Sequence, residues 1–278
     1  MSRSRTQRKT SLTSIPPQLD RQARRIARQT KQLDRELVAG MYQQESLSSA
    51  SRSRTIKLAN MLQLDALTDT QADFFDAYED SDNEAFVLYG SAGTGKTFLA
   101  LYHALVDVLT PESIYRKIII IRSSVQGRDQ GHLPGTAEEK MEQFETPYVG
   151  ICAELLGRPD AYEKLKDMGL IEFVSTSFLR GTTMKDCIIV ADEIQNETFA
   201  TISTLMTRRG NNSKLLVMGD GLQNDLTHSK HDLSGFRDFL AVSKAMNEFR
   251  HFRFTSDDIV RSGFCKSWII AMEKLSLS

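Results

Sequence analysis

The sequence predicts an α/β protein with a mostly parallel β-sheet, helices on both faces, and a basic helical arm before it. Three observations predict this architecture. Short apolar runs of strand length alternate with helical or loop segments. One such run leads into a glycine-rich loop and then into a helix. The first 60 residues also differ sharply in charge from the rest of the chain.

Residues 1–60 form the predicted arm. They contain 13 lysines and arginines against 4 acidic residues, whereas the remaining residues contain 22 against 32. Residues 1–15 are rich in serine, threonine and arginine, which predicts disorder. From about residue 18 to 38, apolar positions recur every four and three residues, which predicts a helix that ends near Gly40. A serine-rich linker follows. The apolar stripe consists of Leu19, Ala23, Ile26, Thr30, Leu33 and Leu37.

The charge of the arm leaves its partner open. Basic residues can contact the phosphates of nucleic acid, and such binding weakens with salt. The arm can equally be a solvated tail, or it can dock on the acidic body of a neighbouring molecule. Its apolar stripe needs a partner, which is either the core of its own chain or a copy of itself.

Residues 61–278 have the composition of one globular domain. The chain has 278 residues, of which 40% are hydrophobic and 26% charged. No apolar run approaches the roughly 20 residues that span a bilayer, and the basic N-terminus has no apolar segment behind it. The three cysteines show neither metal-ligand nor CxxC spacing, so we expect reduced, buried thiols. Together these features predict a cytoplasmic protein that does not contact membranes.

A nucleotide-binding loop follows the first apolar strand of this domain. Phe86–Tyr89 is the strand, and the helix continues from Phe98 to Leu105. The loop between them has the P-loop pattern in the setting that it requires. Its backbone N–H groups point at phosphates at a helix N-terminus, while Lys96 reaches the β- and γ-phosphates and the Thr97 hydroxyl binds Mg²⁺. The predicted contacts to ATP are Gly90, Ser91, Ala92, Gly93, Thr94, Gly95, Lys96 and Thr97.

A second apolar strand, Cys187–Ala191, ends in two acidic residues. Asp192 at the strand end is suited to hold the magnesium shell. Glu193 beside it is suited to act as the base for the attacking water, which separates hydrolysis from simple nucleotide binding. The pair therefore predicts an ATPase with Mg²⁺ as its cofactor.

Four further strands complete the predicted sheet: Lys117–Arg122, Ile171–Ser175, Lys214–Met218 and Phe252–Phe254. Ligands of such sheets bind beyond the carboxyl ends of the strands. The third of these strands runs into the polar segment Gly219–Gln223, which we expect near the γ-phosphate unless it is only a turn.

In the order and spacing of its motifs the chain resembles the PhoH-like family of P-loop ATPases, which are related to superfamily-one helicases. The resemblance covers roughly residues 65–270. The matching stretches are Gly90–Thr97, Gly131–Gly135 with Glu139 and Lys140, Ser177–Gly181, Asp192–Asn196, Thr207 and Arg208 with Gly210, Gly219–Gln223 and Asp258–Arg261. Ser91 stands where a proline is usual, and Thr182 where an arginine is often found.

The resemblance implies a RecA-like fold, ATP hydrolysis and an association with RNA or single-stranded DNA. It implies that Gln71 reads adenine and that Gln223 senses the γ-phosphate. It also implies that Arg180 and Arg261 face phosphate or an interface.

The domain count suggests that the catalytic site is incomplete in one chain. About 215 residues after the arm suffice for one RecA-like domain, whereas superfamily-one helicases place their arginine finger on a second. We therefore expect a homo-oligomer, a ring and possibly a hexamer, in which a neighbouring subunit supplies the arginine. Arg261 is the leading candidate. Its alternative role is a surface ion pair with Asp257 or Asp258.

Two functions remain open at the sequence level. The favoured one is ATP-driven remodelling of RNA or single-stranded DNA by a helicase- or translocase-like enzyme. The alternative is an ATP-dependent protein-assembly switch without a nucleic-acid substrate. Deleting residues 1–60 should abolish nucleic-acid binding under the first reading only. A small-molecule kinase fits poorly, because it needs no water-activating glutamate.

Overall fold

A computed structural model describes residues 56–80, 84–122, 137–179, 181, 183–220 and 235–275. The predicted disordered start, helix and serine-rich linker of the arm lie outside the described residues. The side chains of residues 137–141 and of Phe178 are likewise not described.

Six parallel strands form one sheet. They are β1 (Ala85–Gly90), β2 (Lys117–Arg122), β3 (Ile171–Ser175), β4 (Cys187–Asp192), β5 (Ser213–Gly219) and β6 (Phe249–Phe254). Their spatial order is β3-β2-β4-β5-β1-β6. All six predicted strands are confirmed, the sixth with three more residues at its start, and every pairing is parallel.

Seven α-helices accompany the described part of the sheet. They are α1 (Asp69–Glu79), α2 (Lys96–Leu109), α3 (Ala137–Leu156), α4 (Ala161–Asp167), α5 (Phe199–Met206), α6 (Phe236–Lys244) and α7 (Gly263–Leu275). Single 3₁₀ turns occupy Leu58–Asn60, Thr176–Phe178, Ile194–Asn196 and Ser256–Asp258. None of the described helices combines the length and the apolar character that a membrane span requires.

The central strands are mostly apolar because both faces of the sheet are covered. Alternate residues of β1 point to opposite sides, so that Phe86 and Leu88 pack under α1, α2 and α3 while Val87 packs under α5 and α6. Burial of this kind stabilises a fold by about 25 cal/mol per Å² of apolar surface. The edge strands β3 and β6 are only partly buried. The described residues therefore form a three-layer α/β/α domain, as the sequence predicts.

The strand order decides where the polar strand ends meet. β5 lies between β1, which leads into the glycine-rich loop, and β4, which ends in Asp192. In a parallel sheet all carboxyl ends share one edge, so the loop, Asp192 and the end of β5 converge there.

Two of the three cysteines, Cys152 and Cys187, are buried, as expected. The expectation was wrong for Cys265, which is only partly buried, because it lies on the outermost helix α7.

Candidate active site

The glycine-rich loop bends through three glycines with positive φ. Gly90, Gly93 and Gly95 have φ values of 117°, 72° and 84°, in the left-handed region that side chains rarely adopt. A Cβ at Gly90 would lie 2.0 Å from the carbonyl oxygen of Phe254 on the neighbouring strand β6. The loop therefore requires glycine here both for its turn and for its close approach to β6.

Lys96 is folded back over this loop. Its Nζ donates to the carbonyl oxygens of Gly90 at 2.8 Å and Ser91 at 2.7 Å. Burial lowers its pKa from the ordinary lysine value, while Asp220, Asp192 and Glu193 act in the opposite direction. The ammonium thus stands inside the loop, where a bound phosphate would meet it.

The loop and the acidic end of β4 touch directly. The Thr97 hydroxyl donates to the carboxylate of Asp192, with Oγ1 at 3.1 Å from Oδ1 and 3.2 Å from Oδ2. A threonine hydroxyl and a carboxylate are hard oxygen ligands of the kind that Mg²⁺ prefers, so the pair fits that ion. Thr97 and Asp192 would hold a bound Mg²⁺, which would neutralise negative charge on the nucleotide phosphates.

Asp192 is held by further partners. It is buried, which raises the pKa of its carboxyl group, while the charge of Arg122 on β2 lowers it. The hydroxyl of Tyr148 on α3 donates to Asp192 Oδ2 at 3.0 Å from a fully buried position. Two hydroxyls therefore orient the carboxylate.

Glu193 adopts a left-handed backbone conformation, with φ of 53°, directly after the strand. Gln195 Nε2 donates to Glu193 Oε2 at 2.5 Å, and Gln195 Oε1 accepts from the backbone N–H of Asp220. Burial, and next the charge of Asp192, raise the pKa of Glu193. A carboxylate with a raised pKa is a better proton acceptor, which suits the expected base.

These groups line one cavity of about 760 Å³ at the carboxyl edge of the sheet. Its wall includes loop residues 92–97, Asp192, Glu193, Asp220 and Arg261. Its lining also includes Pro147, Gly150, Ile151 and Glu154 of α3, together with Leu62, Leu64 and Leu67. The cavity thus combines charged groups suited to phosphates with apolar groups suited to a base.

Gln71 lies in the wall of this cavity, and its side chain is buried. Its Nε2 donates to the carbonyl oxygen of Thr94 at 3.2 Å, and its Oε1 accepts from the N–H of Leu67 at 2.8 Å. Gln71 therefore joins the start of α1 to the loop. Contact with adenine stays a prediction.

Arg261 also lines the cavity. Its Cγ would lie 3.0 Å from a Cβ built at Gly93 of the same chain. Among the described residues, it forms no ion pair with Asp257 or Asp258. Its segment starts with a single 3₁₀ turn, Ser256–Asp258, which is capped by Thr255. The predicted residues Gln223 and Arg180 lie outside the described residues.

Comparison with known proteins decides the family. A family model described as PhoH-like protein matches residues 63–273. The chain belongs to the PhoH-like family. The matched residues include the glycine-rich loop, Asp192 and Glu193.

Individual relatives agree with this family. A PhoH-like protein of Mycobacterium leprae is 36% identical over 173 residues, covering 62% of this chain and 48% of the relative. Protein PhoH of Escherichia coli is 28% identical over 245 residues, covering 87% of this chain and 67% of the relative. This PhoH-like chain thus spans about half the length of the first of these relatives.

Structural similarity outside the family is weaker. The large terminase of a thermophilic bacteriophage, in complex with ADP, is similar with a TM-score of 0.44 and 12% identity. The match covers 74% of this chain and 50% of the terminase. At this level it adds no argument about function.

Three contributors to the site of this PhoH-like chain were not identified from the sequence: Tyr148, Gln195 and Arg122. Gln195 lies inside the motif Asp192–Asn196, so its place in the motif was the available signal. Tyr148 is one of several apolar or aromatic positions in a long helix and carries no local signal. Arg122 ends a predicted strand, and only its register with Asp192 on β4 brings it to the cavity.

Proposed function

We propose that this protein hydrolyses ATP in the presence of Mg²⁺ and couples hydrolysis to the remodelling of RNA or single-stranded DNA. The contact between Thr97 and Asp192 carries the first part, because it joins the phosphate-binding loop to the strand end that precedes Glu193. Coupling to nucleic acid is supported by the excess of basic residues in positions 1–60.

The reaction assigns one role to each group. Water attacks the γ-phosphorus and transfers a proton to Glu193, while the bond from that phosphorus to the bridging oxygen breaks and ADP leaves. Gln195 donates to Oε2 of Glu193 and so fixes the carboxylate. Lys96 and the loop N–H groups stabilise the phosphate charge. A positioned general base of this kind contributes about 10²–10⁴ to the rate.

The first test replaces Glu193 by glutamine. We expect phosphate release to fall by about 10²–10⁴, while the Kd for ATP changes little because the loop is intact. The control is Glu172→Gln, an exposed carboxylate on β3 outside the cavity. Unchanged phosphate release in Glu193→Gln would assign the base elsewhere.

The second test addresses the coupling. ATPase rates are measured with and without single-stranded RNA or DNA at two salt concentrations. Stimulation that weakens with salt is expected, since phosphate contacts release counterions. If ATP is hydrolysed but neither RNA nor DNA stimulates the rate, only the coupling to nucleic acid is contradicted, and the assembly switch is favoured. Absence of phosphate release from the wild type would contradict the proposed hydrolysis itself.

A further inference from the structure

The chain that follows the edge strand β6 turns back over the phosphate-binding loop. The turn is fixed by the carboxylate of Asp258, which is buried and accepts from the N–H of Thr255 at 2.8 Å. Two residues later, the N–H of Val260 donates to the carbonyl oxygen of Gly93 at 3.3 Å. The segment that contains Arg261 is therefore hydrogen-bonded to the middle of the loop.

Helix α7 makes a second attachment to the same loop. The Ser91 hydroxyl donates to Glu273 Oε1 at 2.5 Å, across 182 positions of sequence, and Ser91 is buried. Ile269, one turn before Glu273, lies so close to Gly93 that a Cβ there would be 3.2 Å from its Cδ1. One face of α7 thus rests on residues 91–93.

These two attachments bracket Arg261. Val260 precedes it directly, and Glu273 holds the helix that follows it. Arg261 lines the cavity that also contains Lys96, Thr97, Asp192 and Glu193. Within the described part of the chain, ion pairs to the carboxylates of Asp257 and Asp258 do not hold its guanidinium away from that cavity.

We infer that Arg261 is a catalytic cation of its own chain's site and that Glu273 is the positioning residue that holds it there through Ser91. This inference rests on the proposed hydrolysis. As the bond between the γ-phosphorus and the bridging oxygen breaks, negative charge grows on the phosphate oxygens, and the guanidinium stabilises it. The site then needs no arginine from a neighbouring subunit, in contrast to the expectation from the domain count.

The direct test is Arg261→Ala. Arginines in this role contribute about 10³–10⁵ to kcat, so we expect a loss of that order with little change in the Kd for ATP. Arg261→Lys should recover part of the rate, because it restores the charge but not the planar fork. The matched control is Arg253→Ala, an exposed arginine on β6 outside the cavity. A wild-type rate in Arg261→Ala would overturn the inference.

Glu273 is tested by rescue and by a double-mutant cycle. Glu273→Ala and Ser91→Ala should each lower kcat about tenfold with little change in KM, while Glu273→Gln should retain the rate because its amide oxygen still accepts from Ser91. Arg261→Ala combined with Glu273→Ala should be no slower than Arg261→Ala alone. If the losses of kcat in Arg261→Ala and Glu273→Ala multiply in the double variant, the positioning role of Glu273 is overturned.

Action within one chain is tested by mixing Arg261→Ala with Glu193→Gln. Each chain then lacks one catalytic group, so we expect the mixture to stay inactive and the wild-type specific activity to survive dilution. Recovery of activity in the mixture would mean that the arginine crosses between subunits, and would overturn the inference. A wild type without ATPase activity would overturn the proposed function as well, whereas an active wild type with an unaffected Arg261→Ala overturns the inference alone.

Discussion

Two hydroxyl groups orient the carboxylate of Asp192 in the candidate site. Asp192 accepts from Thr97, which the sequence predicts at the same magnesium site, and from Tyr148, which the sequence did not identify. Burial and the charge of Asp192 raise the pKa of Tyr148 well above that of a free tyrosine, so its hydroxyl keeps the proton that it donates to Asp192. Such outer partners orient a ligand and tune its affinity for metal.

Tyr148→Phe removes only this donor. We expect the Mg²⁺ concentration for half-maximal ATPase activity to rise by about 10–100-fold, because the carboxylate of Asp192 loses one of its two orienting hydroxyls. The measurement is a Mg²⁺ titration of the rate at saturating ATP.

The matched control is Tyr162→Phe. Tyr162 is also fully buried and donates to the carboxylate of Glu145, also on α3, but that carboxylate does not line the cavity. The Tyr162→Phe variant should lose some stability without any shift in the Mg²⁺ dependence of its ATPase activity. Equal shifts in the Mg²⁺ dependence of the two variants would mean that Tyr148 acts only through packing.

At the scale of elements, helix α2 connects the site to an aromatic cluster under the sheet. It begins at Lys96 in the loop and carries His103 on its buried face. The imidazole packs against Phe74, Phe75 and Tyr78 of α1, with ring centroids 4.4–5.3 Å apart. Its Nε2 has no hydrogen-bond partner within the described part of the chain. Burial, and next the charge of Lys214 on β5, lower the pKa of His103 to about 3.

This histidine makes stability depend on pH. Its pKa in the folded state lies below the unfolded value of 6.5, so the unfolded chain binds the extra proton between these values. The contribution of the neutral His103 to the free energy of unfolding is therefore fully present above about pH 6.5 and decreases as the pH falls towards 3. Between pH 7 and pH 5 the free energy of unfolding should fall by about 2 kcal/mol on this account.

The comparison is with His103→Phe, which has no titrating group at this position. Urea unfolding of both proteins at pH 7 and pH 5 isolates the contribution of the imidazole. Parallel losses in the two proteins would show that other groups dominate the acid response.

At the scale of the whole molecule, charge is divided along the chain. The arm carries 13 basic against 4 acidic residues, while the remainder is acidic overall. If the arm contacts the phosphates of a single strand, each contact contributes about −0.7 to the slope of log K against log salt concentration. Binding of nucleic acid to the full chain is therefore the property that reports on the arm.

Four arginines of the predicted arm helix, Arg21, Arg24, Arg25 and Arg28, can be changed together to glutamine. We expect weaker binding to single-stranded RNA or DNA and a salt slope shallower by up to about 3 units. The matched control changes Gln18, Gln22, Gln29 and Gln32 to serine, which leaves the charge intact. An unaltered salt slope in the arginine variant would remove the arm from nucleic-acid binding, and loss of binding to a protein partner instead would favour the assembly switch.

Sequence alone determined the parts of this protein that have a local signal. The central strands were recognised because they are buried on both faces and therefore appear in the sequence as apolar runs. The phosphate-binding loop was recognised because glycine, lysine and threonine at fixed spacing serve a fixed backbone turn. Asp192 and Glu193 were recognised because they end a buried strand. Each of these patterns is complete within a short stretch of consecutive residues.

The tertiary structure alone decided which distant residues complete the site. Tyr148 is 44 positions from Asp192, and Glu273 is 182 positions from Ser91. Such contacts depend on strand order, on crossover connections and on the rotation of a helix about its axis, and no short pattern specifies these. For the same reason the sequence did not show that the return of the chain after β6 brings Arg261 close to Gly93 in the loop of its own chain.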